Sequence, residues 1–356
     1  MKLLLKKFNI SKNKKIKVDD FINEGLYKPE VGYYSHKIPF GKKGDFVTSP
    51  TISNLFSEII AVWIISSWEI LGKPKIFNLV ELGPGDGSLS EVLVRTFKNF
   101  PTFNNSVKIF LYEKSQFLKK IQKKRVKGVN VRWINDFQKL KGGPVIFFGN
   151  EFFDAIPIKQ LKKIKNNFFE KNYVLKKNKK IKEIFTKASP AVVKIIKSHK
   201  SLKNLKFVEF PWLGLQELKK INKKISKLGG CILMIDYGYL KPSNQNTLQS
   251  VMKHKKNSLL HNLGKADITA HVNFSLLSEF FKKDGLKVKN IITQKQFLER
   301  MGILERAQII SNKMKFREQS DFYLRLKRLL SSKYMGNLFK VIMAYKLNNN
   351  NFAGFK

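Results

Sequence analysis

Residues 75–97, KIFNLVELGPGDGSLSEVLVRTF, decide the fold of this chain. The apolar run KIFNLVEL is typical of a buried strand, GPGDG is a glycine-rich turn, and the residues after it have helical spacing. A strand, a tight turn and the start of a helix form the setting in which backbone amides hold a nucleotide or nucleoside. We therefore expect this segment to begin an α/β core that binds a ligand at the turn.

Further apolar runs follow it along the chain. They are KIFLYEKS (108–115), VNVRWIND (129–136), PVIFFGNEF (144–152) and CILMIDYGY (231–239). Short apolar strands that alternate with helices predict parallel pairing, with both faces of the sheet covered. The expected fold class is therefore α/β, with a Rossmann-like doubly wound sheet. We expect the helix FSLLSEFFKKDG and a last strand pair around residues 288–303 to complete it.

The segments around these runs predict four regions. Residues 1–74 form an N-terminal helical cap with the loop GDFVTSP, 75–160 and 216–356 form the two halves of the core, and 161–215 form an inserted segment. Within the cap we expect a short helix over residues 18–28 and a long one from about Ser53 to Leu71. Open α/β sheets bind ligands at the carboxyl edge of their strands. We expect the cap and the insertion, as substrate or lid elements, to cover that edge.

Composition excludes several classes of protein. The 356 residues include 69 Lys and Arg against 26 Asp and Glu, a formal net charge of +43. The excess is nearly all scattered lysine, which favours codon bias and a solvated surface over a nucleic-acid site. The single Cys231 excludes a disulfide framework and a cysteine-rich zinc site. The longest apolar run, 59–68, is shorter than the ~20 residues of a membrane span.

The N-terminus and the histidines give further expectations. Residues 1–17 have too short an apolar run for a signal peptide and lack the arginines of a transit peptide. We therefore expect a cytoplasmic protein in a bacterium, or a protein of the mitochondrial matrix in a eukaryote. The histidines have no metal-binding spacing, so we expect no metal.

The glycine turn indicates the kind of ligand. Gly83, Gly85 and Gly87 follow a G-P-G-x-G pattern, which is neither the classical dinucleotide motif nor a phosphate loop. Glu81, just before the turn, would repel a pyrophosphate. It suits a ligand with an ammonium group, such as the methionine part of S-adenosylmethionine.

Acids at the ends of the next two strands fit the same ligand. Glu113 is placed to accept both ribose hydroxyls. Asp136 is placed to accept a hydrogen bond from the adenine amino group, and Phe137 beside it to stack on the ring. Each alone is also compatible with a helix cap. Their occurrence at successive strand ends favours a role in cofactor binding.

The fourth strand ends in Asn150-Glu151-Phe-Phe-Asp154. Paired carboxylates grip a planar guanidinium and can orient one of its nitrogens toward a methyl group. Glu151 and Asp154 are the candidate pair. The alternative is a helix N-terminus whose dipole favours acids.

In these and other motifs the chain resembles the MidA-like family of class I S-adenosylmethionine-dependent methyltransferases. The family includes a mitochondrial complex I assembly factor that methylates an arginine of a partner subunit. The resemblance covers most of the chain and rests on seven motifs in order: LYKPEVGYY (26–34), GDFVTSP (44–50), VELGPGDG (80–87), NEFFDAIP (150–157), IDYGY (235–239), ADITAHVNF (266–274) and TQKQFLERMGI (293–303).

The resemblance implies roles for individual residues. It implies cofactor contacts for the residues Glu81, Gly83, Gly85, Gly87 and Glu113, and an active-site role for Asn150, Glu151 and Asp154. The GDFVTSP loop, with Asp45, Thr48 and Ser49, resembles the family's cap over the cofactor. A second loop holds Asp267, Thr269 and His271, and we count His271 as a catalytic candidate beside its alternative as a hydrogen-bonded structural residue. The chain departs from the family at Thr51, Ser57, Asn273 and the pair Leu263-Gly264, which bears on substrate orientation.

Three functions remain open at this point. The first is a protein arginine N-methyltransferase that acts on a respiratory complex I subunit during assembly. The second is an assembly chaperone that binds S-adenosylmethionine without essential catalysis. The third is a methyltransferase of RNA or a small molecule. The oligomeric state and the degree of methylation are not determined by these motifs.

Overall fold

A computed structural model describes residues 15–39, 41, 44–45, 48–127, 130–175, 181–348 and 351–355. Four sequence interpretations fall partly outside these ranges. They concern residues 1–14 of the N-terminus, Phe46 and Val47 of the GDFVTSP loop, Val129 in the apolar run 129–136, and residues 176–180 of the inserted segment.

Strands and helices alternate along much of the described chain. The strands are β1 Lys15–Lys17, β2 Phe77–Leu82, β3 Val107–Tyr112, β4 Val131–Ile134, β5 Val145–Asn150, β6 Lys159–Ile164, β7 Asn167–Leu175, β8 Ile181–Lys187, β9 Phe207–Phe210, β10 Gly230–Tyr239, β11 Gln249–Met252, β12 Lys255–Asn257, β13 Asp267–Thr269, β14 Val272–Asn273, β15 Lys287–Val288, β16 Ile292–Thr293 and β17 Phe339–Lys346. The helices are α1 Val18–Tyr27, α2 Tyr33–His36, α3 Ser49–Ile52, α4 Asn54–Ile70, α5 Ser88–Phe97, α6 Pro101–Ser106, α7 Gln116–Arg125, α8 Pro190–Ser198, α9 Trp212–Leu228, α10 Phe274–Lys283, α11 Gln294–Arg300, α12 Ile303–Ser311, α13 Phe316–Leu330 and α14 Met335–Leu338.

The central sheet has the strand order β15-β17-β10-β5-β2-β3-β4. The neighbouring strands β10, β5, β2, β3 and β4 pair in parallel, and β17 runs antiparallel to β10. The chain moves outward from β2 to β4 and then returns to place β5 on the other side of β2, so the strand order reverses between β2 and β5. Ligands bind at such a switch point. The doubly wound α/β sheet expected from the sequence is confirmed.

Apolar side chains cover both faces of this sheet. On one face the long helix α4 packs Ile60, Trp63 and Ile64, all fully buried, against β2 and its neighbours. On the other face α9 and α10 cover the same strands. Burying a side chain of this size contributes ~1.5–3 kcal/mol. The two layers therefore hold the carboxyl ends of the strands rigidly. Ser53 caps α4 by accepting from the Leu55 N–H, which confirms the expected start of the long helix.

The insertion and the cap share a second sheet. The strands β6 to β9 form antiparallel pairs, and β1 of the cap pairs with β7. Lys159 bridges Asp19 of α1 and Glu170 of β7 at 2.7 and 2.8 Å, and all three side chains are about 6% exposed. Breaking one partner of a buried ion network is costly because it leaves an uncompensated charge. The cap is therefore held in place by the insertion.

The end of the chain differs in part from the sequence interpretation. The strands β15 and β16 lie in the expected region, but the residues after Thr293 form the helix α11. Thr293 and Gln296 make a capping box there, which satisfies the first amides of the helix. The strand that completes the sheet is β17, inserted antiparallel between β10 and β15. The stretch 240–272 contains the small antiparallel sheet β12-β11-β13.

Across the ranges that the structure describes, no helix combines the length and the apolarity that a membrane span requires.

Candidate active site

The glycine loop lies between β2 and α5. Gly83, Gly85 and Gly87 have φ values of +63°, +59° and +82°, in the left-handed region that favours glycine. A Cβ built on Gly83 would lie 2.9 Å from Cδ2 of Phe152. The loop therefore has no space for a side chain at this point and presents backbone to the crevice beside it.

Glu81 lies at the end of β2, beneath this loop. Its side chain is buried and accepts a hydrogen bond from the Ser90 hydroxyl. Burial raises the pKa of Glu81 to about 7. A ligand ammonium beside this carboxyl would favour the ionised form, so the position suits the amino group of the expected cofactor.

Glu113 comes directly after β3, the strand that pairs with β2. One carboxylate oxygen accepts from the Ser115 N–H at 2.8 Å, and the other accepts from Gln122 Nε2 at 3.1 Å. These two donors fix the carboxylate at the wall of the crevice. Each carboxylate oxygen has a second lone pair, so Glu113 can still accept both hydroxyls of a ribose.

The crevice at this edge of the sheet contains about 1200 Å³ of free space and is open to solvent. The glycine loop and Glu113 form one half, and the segment after β5 forms the other. The lining residues at the second half are Asn150, Glu151, Phe152, Asp154, Ala155, Ile156 and Pro157. The cap contributes Asn23, Tyr27, Tyr34, Thr48 and Pro50. One crevice therefore contains both the cofactor loop and the expected acceptor site.

Glu151 has a strained backbone at the centre of the second half. Its φ is +52°, and such conformations in non-glycine residues occur preferentially at functional sites. One carboxylate oxygen accepts from Asn150 Nδ2 at 3.1 Å and from the Ser49 N–H at 3.2 Å. Burial first, and then the charge of Asp154, raise the pKa of Glu151 to about 8.

Three further carboxyls surround Glu151. The Oδ1 atom of Asp154 is buried and has no hydrogen-bond partner among the described residues. Burial raises the pKa of Asp154 to about 6 and that of Asp267 to about 7. Asp236 accepts from the amides of residues 153 and 154, and burial together with Asp154 raises its pKa well above the usual range. These four residues, Glu151, Asp154, Asp236 and Asp267, form an acid cluster. Glu151 and Asp154 line the crevice and can accept a cation with several donors.

Two tyrosines of the motif LYKPEVGYY, Tyr27 and Tyr34, also line the crevice. The Tyr27 hydroxyl donates to the Ala155 carbonyl at 3.0 Å, and the Tyr34 hydroxyl donates to Asp267 at 3.1 Å. The two rings stack with centroids 5.6 Å apart. Sequence reasoning assigned no role to these tyrosines or to Asp236. The motifs that contain them were the available signal.

Several predicted residues lie outside the crevice lining. Asp136 is exposed and accepts from the Gln138 N–H in a turn, while Phe137 packs between Tyr112 and Phe147, at 4.9 and 5.2 Å, in the core. Neither residue therefore lines the crevice, and the adenine contact stays a prediction. A short polar residue after a strand readily closes such a turn, and an aromatic one is stabilised by packing.

The remaining predicted residues also have other partners. His271 is half-buried and packs edge-on against Tyr237 at 5.3 Å, away from the crevice lining. Asp45 accepts from the Tyr33 hydroxyl and the Lys253 N–H at 2.7 Å each, which ties the cap loop to the turn after β11. Gly87 is the N-cap of α5 and faces α7. Of the GDFVTSP residues, Thr48 and Pro50 line the crevice and Ser49 does not, although its N–H contacts Glu151.

Known proteins resemble this chain over most of its length. A family model described as an S-adenosyl-L-methionine-dependent methyltransferase matches residues 59–292. The protein arginine methyltransferase NDUFAF7, mitochondrial, of Xenopus laevis is 31% identical over 330 residues, which is 86% of this chain and 75% of that protein. Its human counterpart of the same name is 28% identical over 345 residues, with 86% and 74% covered.

A solved structure shares the fold. It is a protein from Burkholderia thailandensis bound to S-adenosyl-homocysteine, and it covers 96% of this chain and 90% of its own with a TM-score of 0.81 at 22% identity. The glycine loop, Glu81 and Glu113 fit the group that the family model names, S-adenosylmethionine. Since that model spans more than half of the residues and the frog relative is 31% identical across 86% of them, this chain belongs to the MidA-like family of S-adenosyl-L-methionine-dependent methyltransferases.

Proposed function

We propose that this methyltransferase transfers the methyl group to an arginine of a protein. The observation that carries the proposal is the acid cluster, of which Glu151 and Asp154 line the same crevice as the cofactor loop, while Asp236 and Asp267 are buried beside them and do not line it. The names of the frog and human relatives, which are protein arginine methyltransferases, support the same acceptor.

The charges favour a cationic acceptor. Among the described residues that line the crevice, Lys114 is the one with a cationic side chain, and it is exposed. Burial without a neighbouring cation disfavours the ionised form of a carboxyl group, and this raises the pKa values of the acid cluster. A planar guanidinium offers five N–H donors. It would therefore replace the missing hydrogen-bond donor at Asp154 Oδ1 and stabilise the ionised cluster.

The residues of the chain supply positioning and a proton acceptor. When bound, S-adenosylmethionine supplies an electrophilic methyl group on a sulfonium, which is transferred by in-line displacement. A guanidinium must lose a proton before its nitrogen has a lone pair for that displacement. The bound guanidinium would favour the ionised form of Glu151, and burial raises the basicity of this carboxylate, so Glu151 is suited to accept the proton. The nitrogen–methyl bond then forms as the carbon–sulfur bond breaks, and the proton remains on the carboxyl group until it exchanges with water.

We further propose a respiratory complex I subunit as the acceptor protein, as the family resemblance implies. This acceptor places the enzyme in the bacterial cytoplasm or in the mitochondrial matrix. The wide, open crevice supports a protein segment as substrate, because a side chain can enter while its backbone remains outside.

The first test measures transfer of the labelled methyl group from S-adenosylmethionine to protein. The second test measures methylarginine by mass spectrometry in complex I isolated from cells with and without this chain. We expect methylarginine in one subunit to disappear without the chain, and to stay absent when Glu151→Gln is supplied. Glu24→Gln is the matched control, because Glu24 pairs with Lys28 on the surface of α1. Transfer of the labelled methyl group to lysine residues or to RNA instead of arginine would contradict the proposal. Normal complex I assembly with Glu151→Gln would favour the chaperone function.

A further inference from the structure

The motif TQKQFLERMGI contains a buried amide that the crevice does not use. Gln294, at the start of α11, is fully buried. Its Nε2 donates to the Leu329 carbonyl of α13 at 3.0 Å, and its Oε1 accepts from the Ser49 hydroxyl at 3.3 Å. Both polar atoms of the amide are therefore hydrogen-bonded, and Oε1 is bonded to Ser49, which also contacts Glu151.

Ser49 links this amide to the acid cluster. Its hydroxyl donates to Gln294 and its N–H donates to Glu151 Oε1 at 3.2 Å. Ser49 is itself fully buried, at the first turn of the short helix α3, where Thr48 and Thr51 form a capping box. The hydroxyl contact therefore fixes the direction in which the Ser49 N–H points.

We propose that Gln294 and Ser49 are positioning residues for Glu151, which hold its carboxylate toward the guanidinium of the acceptor. The inference rests on the proposed function, since it assumes that Glu151 acts on the acceptor. It assigns a role to two buried residues that do not line the crevice.

Glu151 needs such support because its neighbours repel it. Asp154 lies on the same loop, Asp236 on β10 and Asp267 on β13, and each is an acid. Two donors, Asn150 Nδ2 and the Ser49 N–H, hold the ionised carboxylate against that repulsion. Loss of the second donor would let the carboxylate turn away and would favour its protonated form.

The first experiment compares Gln294→Met and Ser49→Ala with Gln296→Met. Gln296 is the matched control because it lies two residues away on the same helix, is exposed, and bonds only within its capping box among the described contacts. We expect Gln294→Met to lower kcat about tenfold while the KM for S-adenosylmethionine stays unchanged, because it frees Ser49 and so weakens the hydrogen bond from the Ser49 N–H to the charged Glu151 carboxylate. The double variant should be no slower than either single one, because both changes break the same link.

The second experiment separates the hydroxyl from the amide of Ser49. Ser49→Ala keeps the N–H, whereas Ser49→Pro removes it. Proline is tolerated at the first turn of a helix, and Thr48 has the extended backbone, φ −91° and ψ 161°, that a following proline requires. We expect the pH at which the rate reaches half its maximum to rise by about one unit in Ser49→Pro. The shift in Ser49→Ala should be smaller and in the same direction.

A readout without turnover tests the same inference. The infrared carbonyl band of a protonated carboxylic acid, assigned to Glu151 by its loss in Glu151→Gln, reports the titration of this group directly. We expect the band to persist to higher pH in Gln294→Met and Ser49→Pro than in the wild type and Gln296→Met. An unchanged titration together with an unchanged kcat in these variants would overturn the inference. The proposed function would still hold if the wild type formed methylarginine. A shifted titration without methylarginine would instead reject arginine as the acceptor and leave the positioning role in place.

Discussion

The hydroxyl of Tyr34 donates a hydrogen bond to Oδ1 of Asp267 at 3.1 Å, although 233 residues separate the two in sequence. Tyr34 belongs to the cap and Asp267 to β13, so this bond joins two distant parts of the chain beside the crevice. Both groups are buried, and the pKa of each is raised by burial first. The acceptor half of the site is therefore assembled from segments that are distant in sequence.

Tyr34→Phe should destabilise the protein by about 1–3 kcal/mol, because it removes a hydroxyl donor and leaves the Asp267 carboxyl buried with fewer donors. Urea denaturation measures the loss of free energy of unfolding. Tyr334→Phe is the control, since the Tyr334 side chain is 55% exposed. Equal stability of the two variants would show that the bond between the cap and β13 contributes nothing.

Gly83→Ala should abolish most of the affinity for S-adenosylhomocysteine. The new Cβ would lie 2.9 Å from Phe152 and would push it, or the loop, into the crevice. Gly142→Ala is a matched control because Gly142 has the same φ of +63° but open space around its Cβ. Both variants carry a similar backbone cost of ~1–2 kcal/mol. Isothermal titration calorimetry should therefore show a loss of binding in the first variant alone.

Glu113→Gln should weaken binding of S-adenosylhomocysteine by about tenfold or more, since a hydrogen bond to a charged group is worth ~1.5–3 kcal/mol. The comparison ligand is the analogue that lacks the ribose 2′-hydroxyl. The wild type should bind this analogue less tightly than the parent compound, whereas the variant should distinguish the two poorly. An equal preference in both proteins would mean that Glu113 does not contact the ribose.

The stability of the protein without ligand should fall as the pH rises. Glu151 has a pKa of about 8 in the folded state against 4.5 without perturbation, so the folded state binds more protons than the unfolded state between these values. The free energy of unfolding therefore decreases with pH across that window and is highest below it. Glu151→Gln removes this dependence.

Thermal unfolding between pH 5 and pH 8 measures this effect, and the Tm of Glu151→Gln should decline less steeply than that of the wild type. The control is Glu69→Gln, because Glu69 pairs with Lys73 on an exposed helix end. Parallel Tm curves for the wild type and Glu151→Gln would contradict the raised pKa. A guanidinium compound that binds the acid cluster should flatten the wild-type curve.

The local elements could be predicted because they depend on neighbouring residues. The apolar runs that became β2, β3, β5 and β10, the glycine turn and the capped helix α4 each follow from spacing and backbone preference within a few residues. The order of those elements was sufficient for a doubly wound sheet, because crossovers between parallel strands are short and right-handed. The acids at the ends of β2, β3 and β5 then had to lie at one edge.

The side chains around those acids could not be predicted in the same way. Asp136 follows β4 just as Glu113 follows β3, yet Asp136 is exposed in a turn while Glu113 is fixed by Gln122 of α7. The difference depends on which helix packs beside each strand end. The same reason explains why Tyr27, Asp236 and Gln294 were missed, since their partners lie 128, 83 and 245 residues away.

The sequence by itself determined the parallel strands β2, β3, β4, β5 and β10, the glycine loop and therefore the cofactor, because each depends on interactions between residues close together in the chain. Only the tertiary structure decided which carboxyls are buried together, which tyrosines cover them and which amides hold Glu151. Burial and electrostatic interaction depend on distance in space, and the folded chain alone sets that distance for residues far apart in sequence.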